Sequence, residues 1–323
     1  MGMLVEGVWK DVPRDTRLTG GEFVRTESLF RDQVTADGAT GYRAEAGRYH
    51  LYVALSCPWA HRTVVYRALK GLEQAVTLSA AGPISEPNGW TFESDPVNGA
   101  RYLHEVYVKA RPGYTGRVTV PVLWDRKTGT IVNNESSEII RMLNREFDAH
   151  ATRRLPDMYP GPLRAEIDRW NELIYRTVNN GVYRAGFATA QEKYKDAVRQ
   201  LFETFETLEQ HLARYRYLCG RRMTEADWRL FTTLVRFDAV YHYHFKCNLY
   251  RLVDYPNLWA YTRELYQFPG VAATVDLKQI KEHYYASQPR VNPSRIVALG
   301  PVLDASDFSE PHGREQLAAR SGQ

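Results

Sequence analysis

The feature that most constrains the fold is a Cys-Pro pair between an apolar run and a helical pattern. Residues 51–55 are continuously apolar, and Cys57 and Pro58 follow closely. Apolar residues then recur at helical spacing from Val64 to Leu72. Proline suits the first position of a helix, because its missing N–H would have no partner there. This order predicts a strand, then Cys57 at a helix N-terminus, then a helix that begins at Pro58.

The position of Cys57 at a helix N-terminus predicts a reactive thiolate. The N–H groups and the helix dipole at this end favour negative charge. Only the thiolate attacks, so the placement predicts a nucleophile. The alternative is an inert cysteine that packs in the core. The strand–Cys-Pro–helix order is unusual for a residue that only packs, and it favours the nucleophile.

The elements that follow predict a mixed α/β half. Residues 75–80 are typical of a second strand, which completes a β-α-β unit. Residues 82–116 contain four prolines and little periodicity, and a segment of this length without regular elements is usually functional or an insertion. Residues 119–125 and 130–132 predict a β-hairpin, and residues 134–137 open another helix.

Pro121 lies inside the predicted strand 119–125. Proline is disfavoured inside a strand unless it lies at an edge or a bulge, or unless its peptide bond is cis. We therefore predict a cis bond between Val120 and Pro121.

The rest of the chain predicts an all-helical half. Two apolar stripes have helical spacing: Leu163, Ile167, Trp170 and Ile174, and then Tyr194, Val198, Leu201, Phe205, Leu208 and Leu212. Residues 224–227 resemble a capping box, and prolines and glycines dominate from Ser287 onward. We predict an irregular N-terminal leader over 1–44, an α/β domain over 45–150, an all-helical domain over 151–286, and a tail over 287–323 that wraps the surface or frays.

Composition and cysteine spacing exclude several classes of function. The 42 basic and 38 acidic residues are well mixed, so we expect no nucleic-acid partner. No apolar run is long enough to span a bilayer, and the N-terminus lacks a secretory pattern, so we expect a soluble protein without a membrane partner. Three widely spaced cysteines, Cys57, Cys219 and Cys247, argue against disulfides and favour the cytoplasm. We expect Cys219 and Cys247 only to pack.

The order of elements, with Cys-Pro at the first helix, resembles the cytosolic glutathione transferase architecture. Within that superfamily the chain resembles the glutathionyl-hydroquinone reductases, the cysteine-containing Xi class. The matching stretches are residues 57–62 (Cys-Pro-Trp-Ala-His-Arg), 120–125, 133–140, 180–183, 185–187, 245–248, 283–285 and 291–293. The resemblance implies a thioredoxin-like, glutathione-binding domain over 45–150 and a helical C-terminal domain. It also implies a homodimer that uses glutathione as co-substrate, with no metal or nucleotide cofactor.

The resemblance assigns roles to two groups of residues. The catalytic group is Cys57 as nucleophile, Tyr183 as proton donor, and Tyr241 and Tyr284 as phenols that stabilise the thiolate. The glutathione-binding group is Trp90, Arg117, Val118, Thr119, Val120, Glu135 and Ser136. Val120 would offer its N–H and C=O to the cysteinyl unit of the ligand.

Each of these residues also has a simpler structural interpretation. Glu135 and Ser136 suit the γ-glutamyl ammonium and carboxylate, but residues at a helix start can simply cap it. Trp90 could anchor a loop, and Arg117 could be a solvated charge. Phenols around a sulfur can lower the pKa of its thiol or donate a proton, yet buried tyrosines often form an ordinary core.

His61 lies four residues after Cys57. A Cys–His ion pair is one interpretation, and a packing or supporting histidine is the favoured one. His242 and His244 are expected to take no part.

The implied reaction is the reductive removal of glutathione from a glutathionyl-hydroquinone. Cys57 would form a mixed disulfide with glutathione, and a second glutathione would release it as oxidised glutathione. Two alternatives stay open: a conventional transferase that conjugates or dehalogenates electrophiles, and a carrier that binds glutathione and aromatics without turnover. A Cys57→Ala substitution separates them, because it would abolish reduction, spare transfer and leave carriage unchanged.

Overall fold

The computed structural model describes residues 2–12, 16–85 and 87–319, with side chains described as far as residue 317. Parts of the predicted leader (residues 1 and 13–15) and the end of the predicted tail (residues 320–323) therefore lie outside the described residues.

The chain divides into two compact units. The first unit comprises Met1–Arg14, Arg25–Pro156 and Thr274–His283. The second unit comprises Asp15–Val24, Asp157–Ala273 and Tyr284–Gln323. The predicted domain boundaries stay a prediction. The units differ from them because both contain part of the leader, and because a segment from late in the chain belongs to the first unit.

The first unit contains two sheets. Its strands are β1 (Met3–Val5), β2 (Val8–Lys10), β3 (Tyr49–Val53), β4 (Val76–Ala80), β5 (Gly116–Arg117), β6 (Val122–Asp125) and β7 (Thr130–Asn133). The central sheet has the order β4-β3-β6-β7, in which β3 and β4 are parallel and the other pairs are antiparallel. Every residue of β3 is buried. The β-α-β unit and the hairpin predicted from the sequence are confirmed, but β6 begins at Val122 and not at residue 119, so Pro121 precedes the strand.

Among the described residues, the first unit also contains the helices α1 (Pro58–Leu69), α2 (Leu103–Ala110) and α3 (Ser136–Arg145), together with the first part of a helix from late in the chain. Helix α2 corrects the expectation that residues 82–116 lack regular structure. Its Leu103, Val106 and Tyr107 are buried at i, i+3 and i+4, which is a helical spacing. The helix is only 8 residues long, so this signal is weak between proline-rich flanks.

The leader is not wholly irregular, because β1 and β2 form an antiparallel hairpin and β1 also pairs with β5. Glu6 and Gly7 connect the two strands, both with positive φ (50° and 78°). Two consecutive positive φ values are typical of the turns that join tight hairpins. A Cβ on Gly7 would lie 1.9 Å from the Pro112 carbonyl oxygen, so glycine is needed at this position.

The second unit is helical. Its helices are α4 (Arg164–Ile174), α5 (Gly181–Gly186), α6 (Gln191–Leu212), α7 (Glu225–Leu234), α8 (Pro256–Tyr266), α10 (Ala305–Ser309) and α11 (Glu315–Ala319), while α9 (Leu277–Ser287) begins in the first unit and ends in the second. A π-helical turn at Tyr175–Asn179 extends α4. A second one, at Phe237–Tyr241, follows α7. The capping box predicted at Thr224 and Asp227 is confirmed.

The buried positions of the second unit follow the predicted stripes. Ile167 and Ile174 of α4 are buried, as are Val198, Leu201 and Phe205 of α6. Cys219 and Cys247 are also buried, as predicted, and burial raises the pKa of the Cys219 thiol to about 12. In the described part of the chain, no helix combines the length and the apolarity needed to cross a membrane.

Two residues of the described tail, Phe308 and Arg314, are buried in the second unit, whereas Ile296, Leu299 and Val302 are exposed. Phe308 is buried, and its ring lies 5.0 Å from that of Trp259 and 5.1 Å from that of Tyr266. The Arg314 guanidinium, also buried, donates to four backbone carbonyls, those of Leu212, Tyr215, Arg216 and Asn257. These contacts attach the part of the tail around residues 308–314 to α6 and α8 and to the residues that follow α6.

Candidate active site

Cys57 is the N-terminal capping residue of α1, as predicted. Its backbone is extended (φ −81°, ψ 121°), and Pro58 occupies the first helical position. The Cys57 carbonyl accepts the first helical hydrogen bond, from the His61 N–H at 2.9 Å. The Cys57 side chain is partly exposed. A half-exposed sulfur at the positive end of a helix has the position expected of a nucleophile.

The Cys57 sulfur faces the loop before β6. The Val120–Pro121 peptide bond is cis, which confirms the prediction. The Cys57 Sγ lies 3.8 Å from the Val120 carbonyl oxygen. The structure therefore brings together two of the predicted site residues, the nucleophile and Val120.

Residues 118 and 119 lead into this loop. Val118 is buried. The Tyr107 hydroxyl donates to the Thr119 carbonyl at 2.8 Å, and the Thr119 N–H reaches the same hydroxyl at 3.3 Å. The Asn134 side chain donates to this hydroxyl at 3.0 Å. Tyr107 thus ties the loop before β6 to the segment before α3.

Sequence reasoning missed Tyr107, because it missed α2. The i, i+3, i+4 spacing of Leu103, Val106 and Tyr107 is the signal that could have identified it.

Glu135 and Ser136 lie at the start of α3. Glu135 is the N-cap, and its carboxylate accepts from the Ser137 N–H at 3.0 Å and from the Ser137 hydroxyl at 2.8 Å. Ser28 donates to the other carboxylate oxygen at 3.2 Å. Glu135 therefore caps α3, and its role toward the γ-glutamyl group stays a prediction. Ser136 is buried, and the Arg62 guanidinium donates to its hydroxyl at 3.4 Å.

Two guanidinium groups flank the indole of Trp59, two residues after the nucleophile. Arg25 lies 4.5 Å and Arg62 4.6 Å from the centre of the Trp59 ring, within cation–π distance. Arg62 is almost completely buried. These two cations lie beside the start of α1, and guanidinium groups are suited to the carboxylates of a peptide ligand.

The structure places Trp90 and Arg117 in different surroundings. The Trp90 indole is buried and stacks on the His283 ring, with centroids 4.7 Å apart. The Arg117 guanidinium donates to the carbonyls of Val12 at 2.7 Å and Gly2 at 3.3 Å. Burial lowers the pKa of Arg117. No local pattern predicts these hydrogen bonds from Arg117 to the leader, and the role of Arg117 toward glutathione stays a prediction.

The three predicted tyrosines form one cluster in the second unit. The Tyr183 and Tyr284 hydroxyl oxygens are 2.6 Å apart, and those of Tyr241 and Tyr284 are 3.0 Å apart. Phe245 packs on all three rings, with centroid distances of 5.4 to 5.6 Å. Tyr284 is therefore the central member of a chain of three phenols.

Burial keeps two of these phenols, Tyr241 and Tyr284, protonated. It raises the pKa of Tyr241 and of Tyr284 well above the usual range, and the neighbouring Tyr183 raises both further. Neutral phenols are hydrogen-bond donors, so the cluster has protons to donate at neutral pH.

The three histidines considered in the sequence analysis have separate positions. The His61 ring bonds to the Thr274 hydroxyl through Nε2 at 2.8 Å and is fully buried, which fits a packing or supporting residue. The buried His244 ring reaches the Gln288 amide oxygen at 3.0 Å, and burial lowers its pKa. His242 follows the π-helical turn that contains Tyr241. Among the residues that the structure describes, no cluster of His, Cys, Asp or Glu side chains could hold a metal ion.

Comparison with known proteins places the chain among glutathione S-transferases. Residues 56–146 match the model of the glutathione S-transferase N-terminal domain, and residues 180–264 match that of the C-terminal domain. These matches confirm the predicted architecture, a thioredoxin-like domain and a helical domain.

Individual relatives show which family within the glutathione S-transferases this chain resembles. The chain is 51% identical to glutathionyl-hydroquinone reductase YqjG of Escherichia coli, over 98% of this chain and 99% of the relative. It is 53% identical to glutathionyl-hydroquinone reductase PcpF of Sphingobium chlorophenolicum, over 94% and 97%.

Solved structures of similar proteins point to the same family. The glutathione-bound structure of YqjG has a TM-score of 0.88 and 48% identity, and covers 97% of this chain and 99% of that one. The Xi-class transferase of Natrialba magadii has a TM-score of 0.91 and 48% identity, over 98% of each chain. The chain therefore belongs to the glutathione S-transferase superfamily and, within it, to the family of the glutathionyl-hydroquinone reductases.

Proposed function

We propose that this protein reduces glutathionyl-hydroquinones to hydroquinones at the expense of glutathione. The observation that carries the proposal is the placement of Cys57 at the start of α1, with its sulfur 3.8 Å from the Val120 carbonyl beside a cis proline. The names of YqjG and PcpF support the substrate class.

In the first step the Cys57 thiolate attacks the sulfur of the glutathionyl group. A sulfur–sulfur bond forms and the carbon–sulfur bond breaks, with its electron pair left on the aromatic carbon. Tyr183 donates a proton to this carbon, so the ring leaves as the hydroquinone. The sulfurs are oxidised to the disulfide level and the carbon is reduced.

In the second step another glutathione thiolate attacks the glutathione sulfur of the mixed disulfide. Oxidised glutathione leaves, the Cys57 thiolate is restored, and the proton released from the second glutathione thiol replaces the one that Tyr183 donated. Cys219 and Cys247 are buried thiols of the second unit, so we assign the resolving role to external glutathione.

The glutathione is held, in this proposal, by residues of the first unit. Val120 pairs with the cysteinyl backbone. Glu135 binds the γ-glutamyl ammonium, while Ser136 and the N–H groups of α3 bind its carboxylate. Trp90, Arg117, Val118 and Thr119 line the path of the peptide. The known glutathione-bound structure of YqjG supports glutathione as the co-substrate.

Tyr241 and Tyr284 act as hydrogen-bond donors that favour the thiolate form of Cys57. Their raised pKa values support this role, because only protonated phenols can donate. We further propose that the protein is a homodimer of the cytoplasm, where cysteine thiols stay reduced.

Mass spectrometry of the intact protein tests the proposal. The protein is mixed with a glutathionyl-hydroquinone and quenched in acid before a second glutathione is added. We expect a mass increase of one glutathione on Cys57, and its removal by added glutathione. An adduct that retains the aromatic ring, or no adduct at any quench time, would exclude the mechanism.

Substitution of the nucleophile separates the alternatives. Cys57→Ala should abolish reduction, whereas Cys219→Ala is a matched control that removes a buried thiol and should leave turnover unchanged. Conjugation of electrophiles that survives in Cys57→Ala would favour the conventional transferase. Glutathione binding without any turnover in the parent protein would favour the carrier.

A further inference from the structure

Two histidines fix the segment 274–283 to the rest of the first unit. At its start, the Thr274 hydroxyl bonds to Nε2 of His61 at 2.8 Å. At its end, His283 contacts the segment between β4 and α2. The segment, which includes the first residues of α9, is thus held at both ends.

His283 makes two different contacts with that segment. Its Nδ1 lies 2.9 Å from the Pro83 carbonyl oxygen, and since a carbonyl only accepts, Nδ1 carries the proton. Its ring stacks on the Trp90 indole, with centroids 4.7 Å apart and planes 22° apart. Both rings are buried, with 5% of His283 and 6% of Trp90 exposed.

The backbone and the side chain of Trp90 are held by different partners. The Trp90 carbonyl accepts from the Leu103 N–H at 3.0 Å, so the start of α2 fixes the backbone. Gly89, immediately before, has a left-handed φ of 84°. Backbone contacts leave the rotamer of the indole undetermined, and the stacked His283 ring restricts it.

We propose that His283 is a positioning residue that fixes the Trp90 indole in the orientation in which it packs against glutathione. The hydrogen bond to Pro83 sets the plane of the imidazole, and the imidazole sets the plane of the indole. The inference rests on the proposed function, because it takes Trp90 as a glutathione contact. It adds a residue that acts on the ligand only through Trp90.

The test measures glutathione binding without turnover. Full-length protein with Cys57→Ser is titrated with glutathione by calorimetry, with and without His283→Ala. We expect His283→Ala to weaken binding by roughly fivefold, the size of a lost aromatic contact. In a Trp90→Ala background the same substitution should change the affinity by less than about 1.5-fold, because the effect passes through the indole.

Two further variants separate the contacts of His283. His283→Phe keeps a stacking ring and should recover most of the affinity, whereas His283→Asn keeps a donor for Pro83 and should recover less. If His283→Ala does not fold, the comparison of these two variants carries the test.

His211→Ala is the matched control. The His211 ring lies 4.8 Å from that of Trp170 and its Nε2 reaches the Leu218 carbonyl at 3.1 Å, both in the second unit. It should not change glutathione affinity. Equal effects of His283→Ala with and without Trp90, or none in either, would overturn the inference. A parent protein that binds no glutathione would overturn the proposed function instead.

Discussion

The hydroxyl oxygens of Tyr183 and Tyr284 lie 2.6 Å apart, and the Tyr241 hydroxyl lies 3.0 Å from that of Tyr284. A hydroxyl has one proton to donate and can also accept. Tyr284 can therefore donate to one neighbour while it accepts from the other. The orientation of the two outer hydroxyls depends on this middle residue.

Removal of the middle hydroxyl should weaken the second unit. Tyr284→Phe deletes two buried hydrogen bonds, so we expect the free energy of unfolding to fall by about 2 kcal/mol. The proposed reductase turnover should fall as well. Urea unfolding with steady-state assays measures both. Tyr243→Phe, at a side chain that is 68% exposed, is the control and should be neutral; equal stability of the two variants would contradict the prediction.

Gly186 should not tolerate a side chain. A Cβ at this position would lie 2.2 Å from the Phe245 ring, and Phe245 packs on all three tyrosines of the cluster. We expect Gly186→Ala to lower the free energy of unfolding by about 2 kcal/mol. Gly161→Ala is the matched control, since a Cβ there meets no atom within 4 Å. Thermal unfolding of both variants checks the prediction, which fails if they melt alike.

The ion pair between Arg48 and Asp125 should make stability depend on pH. Arg48 donates to both Asp125 oxygens, at 2.8 and 2.7 Å, and Asp125 is fully buried. Burial by itself raises the pKa of Asp125, but hydrogen bonds from Arg48 and Thr128 outweigh it and lower the pKa. A lowered folded-state pKa gives stability that is present above about pH 4 and is lost as the pH falls through the folded-state value.

Asp125→Asn should therefore cost about 3 kcal/mol at pH 7 and progressively less as the pH falls below 4. Glu45→Gln is the control: Glu45 also contacts Arg48, at 3.3 Å, but is 41% exposed and should contribute little. Urea unfolding at several pH values gives the result. A difference between parent and Asp125→Asn that does not change with pH would contradict the assignment.

Arg314 should fix the tail to the second unit. Its guanidinium donates to the carbonyl of Leu212, the last residue of α6, and to three further carbonyls. A cation at a helix C-terminus is stabilising, and lost charged hydrogen bonds are costly. We expect Arg314→Ala to lower the free energy of unfolding by about 3 kcal/mol.

Arg314→Lys should recover only part of this loss, because an ammonium cannot reproduce the planar set of donors. Arg199→Ala, at a side chain that is 67% exposed, should be neutral. Chemical denaturation measures all three variants, and a near-neutral Arg314→Ala would show that the tail contacts contribute little.

The elements around Cys57 could be predicted because their signals are local. An apolar run, a cysteine before a proline, and a proline next to a strand-forming segment each restrict the backbone within a few residues. The structure confirms β3, the cap at Cys57 and the cis bond before Pro121. Capping of α3 by Glu135 could likewise be predicted, because Glu135 lies at the start of a helical pattern.

Apart from α2 and the β1–β2 hairpin, the features that escaped prediction depend on contacts between residues distant in sequence. β1 has three residues and pairs with the two-residue β5, more than a hundred positions away. The Arg117 guanidinium binds carbonyls at residues 2 and 12. No local pattern encodes such contacts. The assignment of 274–283 to the first unit depends in the same way on Thr274 and His61.

The boundary between the two units falls within helix α9: His283 belongs to the first unit and Tyr284 to the second. A gene fragment that ends at residue 156 would therefore encode a first half without its own last segment, and the remaining fragment would lack residues 15–24 of the second unit. Neither half contains all the segments of its unit, so a single crossover between homologues at residue 156 should build each core from segments of two different proteins.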